Sequence, residues 1–106
     1  MDSSNRAAGQ TIDDGVSAYQ ATKGAILLDV RTPQEYRDGH IPTSINLPLQ
    51  NIANIKEVVP NKETPLFVYC KSGMRSEHAA SILKQNGYQS VENIGGIMSY
   101  HGEIER

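Results

Sequence analysis

The sequence predicts an α/β domain in three layers: a mainly parallel sheet of about five short strands, with helices on both faces. Three observations carry this expectation. Short apolar runs, Ala25–Val30 and Leu66–Tyr69, suit strands that are covered on both sides. Segments with apolar residues at helical spacing alternate with them. Turn chemistry separates the segments, at Gly24, Gly39 with Pro42, Pro48, Pro60, Asn86-Gly87 and Gly95-Gly96.

Taken in order, residues 1–9 read as a polar lead-in and 10–106 as one domain. Gln10–Ile12 is a candidate edge strand. Asp13 or Asp14 then caps a helix carrying Val16 and Tyr19, ended by Gly24. Ala25–Val30 is the first buried strand. Thr32-Pro33-Gln34-Glu35 starts a helix: Thr32 caps, Pro33 fits the first helical position, and Glu35 closes a capping box. Gly39 and His40-Ile41-Pro42 stop it early. Ser44–Leu47 is a short strand ended by Pro48. Leu49, Ile52, Ile55 and Val58/Val59 set a helix running to about Val59, its apolar stripe serving as core. After the turn at Asn61–Pro65 comes the strand Leu66–Tyr69 and a loop. A helix follows from near Ser76 to Asn86-Gly87, with Ala79, Ala80, Ile82 and Leu83 on its apolar face. Val91–Ile94 is a last strand, Gly95-Gly96 a turn, and Ile97, Tyr100 and Ile104 suggest a final helix.

Composition narrows the function classes. The chain has 106 residues, 10 Lys+Arg against 12 Asp+Glu, and a formal net charge of −2. A chain of this length buries roughly 60–70% of its unfolded surface, enough for a modest core without metals or disulfides. The charge balance gives no global pull towards nucleic acid or an anionic membrane. Met1–Gln10 lacks a signal-like apolar core, and no apolar run approaches the roughly 18 residues of a membrane span. One cysteine excludes an internal disulfide and a cysteine-rich metal site. His40, His78 and His101 are too widely spaced for a metal-ligand pattern. The expectation is a soluble, cytoplasmic protein in a reducing compartment.

That cysteine, Cys70, stands where an apolar strand surfaces and a helix is about to begin. In parallel sheets, ligands bind outside the carboxyl ends of the strands. If the loop Cys70-Lys71-Ser72-Gly73-Met74-Arg75-Ser76 wraps the sulfur, its backbone N–H groups form an anion-binding nest. The helix N-terminus adds partial positive charge, and Lys71 and Arg75 add two cations. Each favours a thiolate. Gly73 lets the loop bend, and Ser72 and Ser76 can hydrogen-bond to the sulfur or to a bound oxyanion. Buried free cysteine is common, but burial alone does not account for two cations, a glycine and two serines around it. Asp29 and Arg31 lie at the end of another strand and could line the site; the expectation is that Arg31 pairs with Glu35 or Asp29 and fixes the loop after that strand. His40 reads as a structural hydrogen-bonding residue, His78 as a residue of the helix after the loop with a rim contact to substrate as the alternative, and His101 as solvated.

Three motifs, in order, resemble the rhodanese-like family of sulfurtransferases in its single-domain form. Asp29-Val30-Arg31 with Glu35-Tyr36, Gly39-His40-Ile41-Pro42 and Asn46-Leu47-Pro48 is similar to the family's first signature. Tyr69–Ser76 resembles its active-site loop, and Asn93-Ile94-Gly95-Gly96 the double glycine before its last helix. The resemblance implies a rhodanese-like sandwich and a sulfurtransferase without cofactor. Cys70 would be the nucleophile that carries a persulfide, and Lys71 through Ser76 would bind the substrate. The donor would be thiosulfate or a persulfide, and the acceptor cyanide or a thiol, protein thiols included. The chain departs from the family pattern at Thr43-Ser44, where many relatives have Gly-Ala, and at Tyr100, where a tryptophan is frequent.

Two other readings compete. Cell-division phosphatases and some arsenate reductases share this fold, but their loops place five residues between Cys and Arg. Here four, Lys71 to Met74, stand between Cys70 and Arg75, a ring better suited to one sulfur than to a tetrahedral oxyanion. The lone cysteine also denies a reductase mechanism needing a second thiol. A binding or redox-sensing module is the remaining alternative, since an activated thiolate oxidises readily.

Overall fold

The computed structural model describes residues 11–106. Four strands form one parallel sheet: β1 (Ile26–Asp29), β2 (Ile45–Asn46), β3 (Leu66–Cys70) and β4 (Val91–Gly96), in the order β2-β1-β3-β4. The helices are α1 (Ile12–Gln20), α2 (Pro33–Asp38), α3 (Ile55–Val58) and α4 (Met74–Gln85). Central β3 pairs Leu66–Tyr69 with Ile26–Asp29 on one side, and runs beside β4 on the other with a register shift between Val68 and Tyr69.

The period of two along β3 sorts the core. Leu66, Val68 and Cys70 face one side, with Ile52, Ile55, Val59, Ala79, Leu83 and Tyr88. Phe67 and Tyr69 face the other, with Ile12, Val16, Ile41 and Ile94. All five residues of β3 are buried. Alternation therefore points the Cys70 side chain towards the side covered by α4, which is what brings the helix start to the sulfur.

Several local expectations are corrected by tertiary structure. The sheet has four strands among the described residues, not about five. Of the candidate strand Gln10–Ile12, Gln10 and the lead-in lie outside the described residues, while Ile12 opens α1 and is buried. Thr11 caps α1 through a capping box with Asp14, leaving Asp13 to bond His101. The helix expected over Leu49–Val59 is a 3₁₀ segment, Leu49–Asn54, running into α3. Gly95-Gly96 is no turn but the end of β4, with Gly95 at φ 110°. The final helix is reduced to one 3₁₀ turn, Ile97–Ser99. Beyond it the chain extends, and Glu105 exchanges two backbone hydrogen bonds of 2.8 Å with His40. That pairing holds the C-terminal segment against the Gly39-His40 turn and outweighs a weak helical pattern.

α2 forms as its sequence dictates: Thr32 accepts from the Glu35 N–H, and Glu35 accepts from the Thr32 N–H at 2.9 Å. Its far end is tied to β1 by Arg31, whose guanidinium grips buried Asp29 (2.6 Å at the shortest) and donates to the Gly39 carbonyl at 2.7 Å. His40 stacks on Tyr36 with 3.7 Å between ring centroids, and its Nδ1–H donates to the Tyr36 carbonyl. Asp29, Arg31 and His40 thus build the platform beside β3. Among the described residues no helix is long and apolar enough to cross a membrane.

Candidate active site

Cys70 ends β3, and the loop after it is shorter than its sequence suggests. α4 begins at Met74, with Gly73 as its N-cap in the left-handed region at φ 105°. Met74, Arg75 and Ser76 are therefore the first helical turn, not loop residues, and only Lys71, Ser72 and Gly73 bridge strand to helix. Gly73 is required there, because a side chain at that φ is strained.

The sulfur is not at the surface. Cys70 is 1% exposed, against the expectation that a strand end would expose it. The turn into α4 folds over it, and donors converge instead of solvent. Sγ accepts from the Gly73 N–H at 3.0 Å and lies 3.4 Å from the Ser76 hydroxyl. Burial pushes the thiol up; the Ser76 hydroxyl and the backbone N–H groups of Ser76, Gly73 and Ser72 outweigh it and hold the thiol below its ordinary value. The thiolate is thus favoured chiefly by oriented hydrogen bonds at a helix N-terminus, more than by the side-chain cations the sequence pointed to.

The two cations have different placements. Lys71 is exposed, at the edge of a groove of about 310 Å³ that it lines with Arg31, Glu35, Asp38 and Met98. Arg75 turns to Glu35 and forks its carboxylate at 2.8 and 3.0 Å. That bond is the main cause holding the Glu35 carboxyl down at about 2, against the opposing effect of burial. Ser72 and Met74 are exposed, Met74 at 77%. Ser76 is fully buried. Asp29 and Arg31 pair with each other, not with anything at the sulfur. His78 is exposed on α4, and His101 is exposed while bonded to Asp13.

Two supports escaped the sequence reading. The Asn93 carboxamide spans the loop: Nδ2 donates to the Gly73 carbonyl at 3.1 Å, and Oδ1 accepts from the Gly95 N–H at 3.0 Å and from the Ser76 hydroxyl at 2.7 Å. Gly96 lies flat against the loop, where a Cβ would fall 2.2 Å from the Lys71 carbonyl oxygen and 2.5 Å from the Ser72 Cα. The signal for both was the Asn93–Gly96 motif itself; its meaning depended on β4 lying next to β3.

A four-stranded parallel sheet flanked by helices, with a thiol under a helix N-terminus at the end of a central strand, defines a class of fold and site. The chain belongs to the rhodanese-like family: the model of the Rhodanese-like domain matches residues 13–103. It is similar to thiosulfate sulfurtransferase PspE of Escherichia coli, with 41% identity over 66% of this chain and 68% of that one. It is also similar to a sulfurtransferase of Allochromatium vinosum, with 39% identity over 76% of this chain and 78% of its relative. A solved structure described as rhodanese with anions from E. coli superposes with a TM-score of 0.72 at 35% identity, covering 77% of this chain and 98% of the other. Some relatives are longer: adenylyltransferase and sulfurtransferase uba4 of Ogataea parapolymorpha is 35% identical over 88% of this chain, which spans 25% of its length.

Proposed function

We propose that the chain is a thiosulfate sulfurtransferase-like enzyme that carries sulfane sulfur on Cys70. The observation that carries this reading is the set of donors aimed at one sulfur, from the Gly73 N–H, the Ser76 hydroxyl and the start of α4. They stabilise a thiolate without a general base, which is what a pre-formed nucleophile needs.

In the first half-reaction the Cys70 thiolate attacks the outer sulfur of thiosulfate. A new S–S bond forms, the old one breaks, and sulfite departs with its electron pair. In the second, a cyanide or thiolate acceptor attacks the outer sulfur of the Cys70 persulfide, and the Cys70 thiolate is regenerated as leaving group. The charge on the outer sulfur is met by the N–H groups of the turn and by the α4 N-terminus. Lys71, exposed at the groove, guides the anionic donor, and Ser72, Gly73, Met74, Arg75 and Ser76 shape the site around it. Access for a donor is through the turn itself, where Lys71, Ser72 and Met74 are exposed.

The relatives named thiosulfate sulfurtransferase and sulfurtransferase support this chemistry, and the relative solved with anions supports an anion-accepting site. Four residues between Cys70 and Arg75 argue against a phosphatase ring. Arg75 itself is turned towards Glu35, which it forks through both terminal nitrogens. The partners proposed are a small sulfur anion or persulfide donor and a cyanide or thiol acceptor, with no nucleic acid and no membrane. A cytoplasmic, reducing setting would keep the thiol available.

The test is a panel of donors (thiosulfate, polysulfide, a glutathione persulfide) against cyanide and thiol acceptors, with the wild type and Cys70→Ser. Transfer in the wild type and none in Cys70→Ser is expected. Transfer persisting in Cys70→Ser would remove Cys70 from the mechanism. Inactivity of the wild type with every pair would favour a binding module.

A further inference from the structure

Ser76 has one hydroxyl proton and three acceptors within reach: Asn93 Oδ1 at 2.7 Å, the Gly73 carbonyl at 3.1 Å and Cys70 Sγ at 3.4 Å. It cannot serve them together. The orientation of the Asn93 amide follows from its other bonds. Turned over, its NH₂ would face the Gly95 N–H, donor against donor, and the Gly73 carbonyl would meet an oxygen. Oδ1 therefore faces Ser76, at the shortest of the three distances. Ser76 is fully buried, so no bulk water relieves the competition.

We propose that Asn93 is a positioning residue that holds the Ser76 hydroxyl proton away from Cys70 until the sulfur becomes negatively charged. With a neutral thiol, Ser76 donates to Asn93, and its oxygen is free to receive the S–H. When the thiol proton leaves to solvent, the Ser76 O–H turns from Asn93 to the sulfur. Once an outer sulfur is attached and the charge has moved onto it, Ser76 returns to Asn93. Asn93 thereby sets how strongly the resting thiolate is stabilised, because the Ser76–Asn93 bond must be given up each time the thiolate forms. This rests on the reading of Cys70 as the reactive thiol, but not on any sulfur donor.

The titratable groups on the elements packed around Cys70 are Lys71 in the turn, Arg75 and Glu77 on the first turn of α4 with His78 and Lys84 farther along it, Glu35, Arg37 and Asp38 on α2, Lys56 and Glu57 on α3, and the Asp29–Arg31 pair at the end of β1. Glu92 on β4 sits farther back, opposite Phe67. All are common to the variants compared, so differences between variants remove their contributions.

The experiment is titration of the thiolate by ultraviolet absorbance, taken as a difference against Cys70→Ser in each background so that the tyrosines cancel. The variants are wild type, Asn93→Ala, Asn93→Asp, Ser76→Ala and the double variant Asn93→Ala/Ser76→Ala. Asn93→Ala is expected to lower the midpoint by about half to one pH unit, the size of one hydrogen bond released to the sulfur. Asn93→Asp, which keeps the acceptor and adds charge, is expected to raise it. In the Ser76→Ala background the Asn93→Ala shift is expected to vanish. A purely structural role would loosen the turn and raise the midpoint in Asn93→Ala, with or without Ser76; that result, or an unchanged midpoint, would overturn the proposal. If Asn93→Ala unfolds, Asn93→Leu, of similar volume but without the acceptor, keeps the test decisive: a lowered midpoint is expected, and a raised or unchanged one would overturn the proposal. Because the readout uses no donor, loss of sulfur transfer would count against the function proposed above and not against this relay.

Discussion

Arg75, in the first turn after the thiol loop, forks both carboxylate oxygens of Glu35, 40 residues earlier in the chain, at 2.8 and 3.0 Å. The same Glu35 Oε1 accepts from the Thr32 N–H at 2.9 Å. One carboxylate thus caps α2 and anchors the start of α4, so the turn over Cys70 is braced against a second element.

This pair gives stability a specific pH dependence. The Glu35 carboxyl is held at about 2 in the folded chain, below its ordinary 4.5. A depressed folded value contributes stability that is present above pH 4.5 and lost as pH falls towards 2. Glu35→Gln should lower stability at neutral pH by about 1 kcal/mol, since the pair is partly solvated and the cap is weakened. It should also flatten the acid limb. Denaturant melts of wild type and variant across that range check this; parallel curves would contradict it.

Gly96 predicts a packing effect that no other part of the loop would reveal. Its Cα faces backbone, with the Lys71 carbonyl oxygen 2.2 Å from where a Cβ would stand. Backbone cannot swing aside as a side-chain tip can. Gly96→Ala should destabilise by about 1–3 kcal/mol and reduce sulfur transfer about tenfold or more by displacing the turn. Thermal unfolding and kcat/KM measure the two effects, and wild-type values for both would refute the close contact.

Much of this structure was written locally, and what escaped was long-range. The strands β1 and β3 followed from their apolar runs, and the start of α2 from Thr32, Pro33 and Glu35, because those signals act within a few residues. By contrast, Glu35–Arg75, Ser76–Asn93 and Gly96 against Lys71 join segments 40, 17 and 25 residues apart. They exist because parallel strand ends lie side by side, so their meaning appears only once the strand order is known. The burial of Cys70 was missed for the same reason: a strand end is open until its loop folds back. At the C-terminus, Ile97, Tyr100 and Ile104 had helical spacing, but pairing of Glu105 with His40 prevailed.

Thr43 is a β-branched residue at φ 72°, the third position of a turn in which the Ser44 N–H donates to the Ile41 carbonyl at 3.1 Å. That conformation costs about 1–2 kcal/mol for a residue with a Cβ. It is offset in part by the 2.8 Å bond between the Thr43 and Tyr19 hydroxyls. Thr43→Gly should therefore raise stability by about 0.5 kcal/mol net of the lost bond and the added chain freedom. Calorimetry of Thr43→Gly beside Tyr19→Phe separates strain from hydrogen bonding; a lower melting temperature in Thr43→Gly than in Tyr19→Phe would contradict the strain.

Lys71 is exposed beside the groove and its charge has room to act on an incoming anion. Lys71→Ala should raise KM for thiosulfate about three- to tenfold while changing a neutral persulfide donor less than about twofold, and the gap should narrow with added salt. Steady-state kinetics with both donors decides it. Equal losses would remove Lys71 as an anion guide.

The central claim is that sulfur rides on Cys70, and intact-protein mass after incubation with thiosulfate, polysulfide or a persulfide donor tests it most directly. The account predicts a gain of one sulfur, about 32 mass units, on wild type, its loss on adding cyanide, and no gain on Cys70→Ser. A mass unchanged by all three donors, or the same gain on Cys70→Ser, would contradict it.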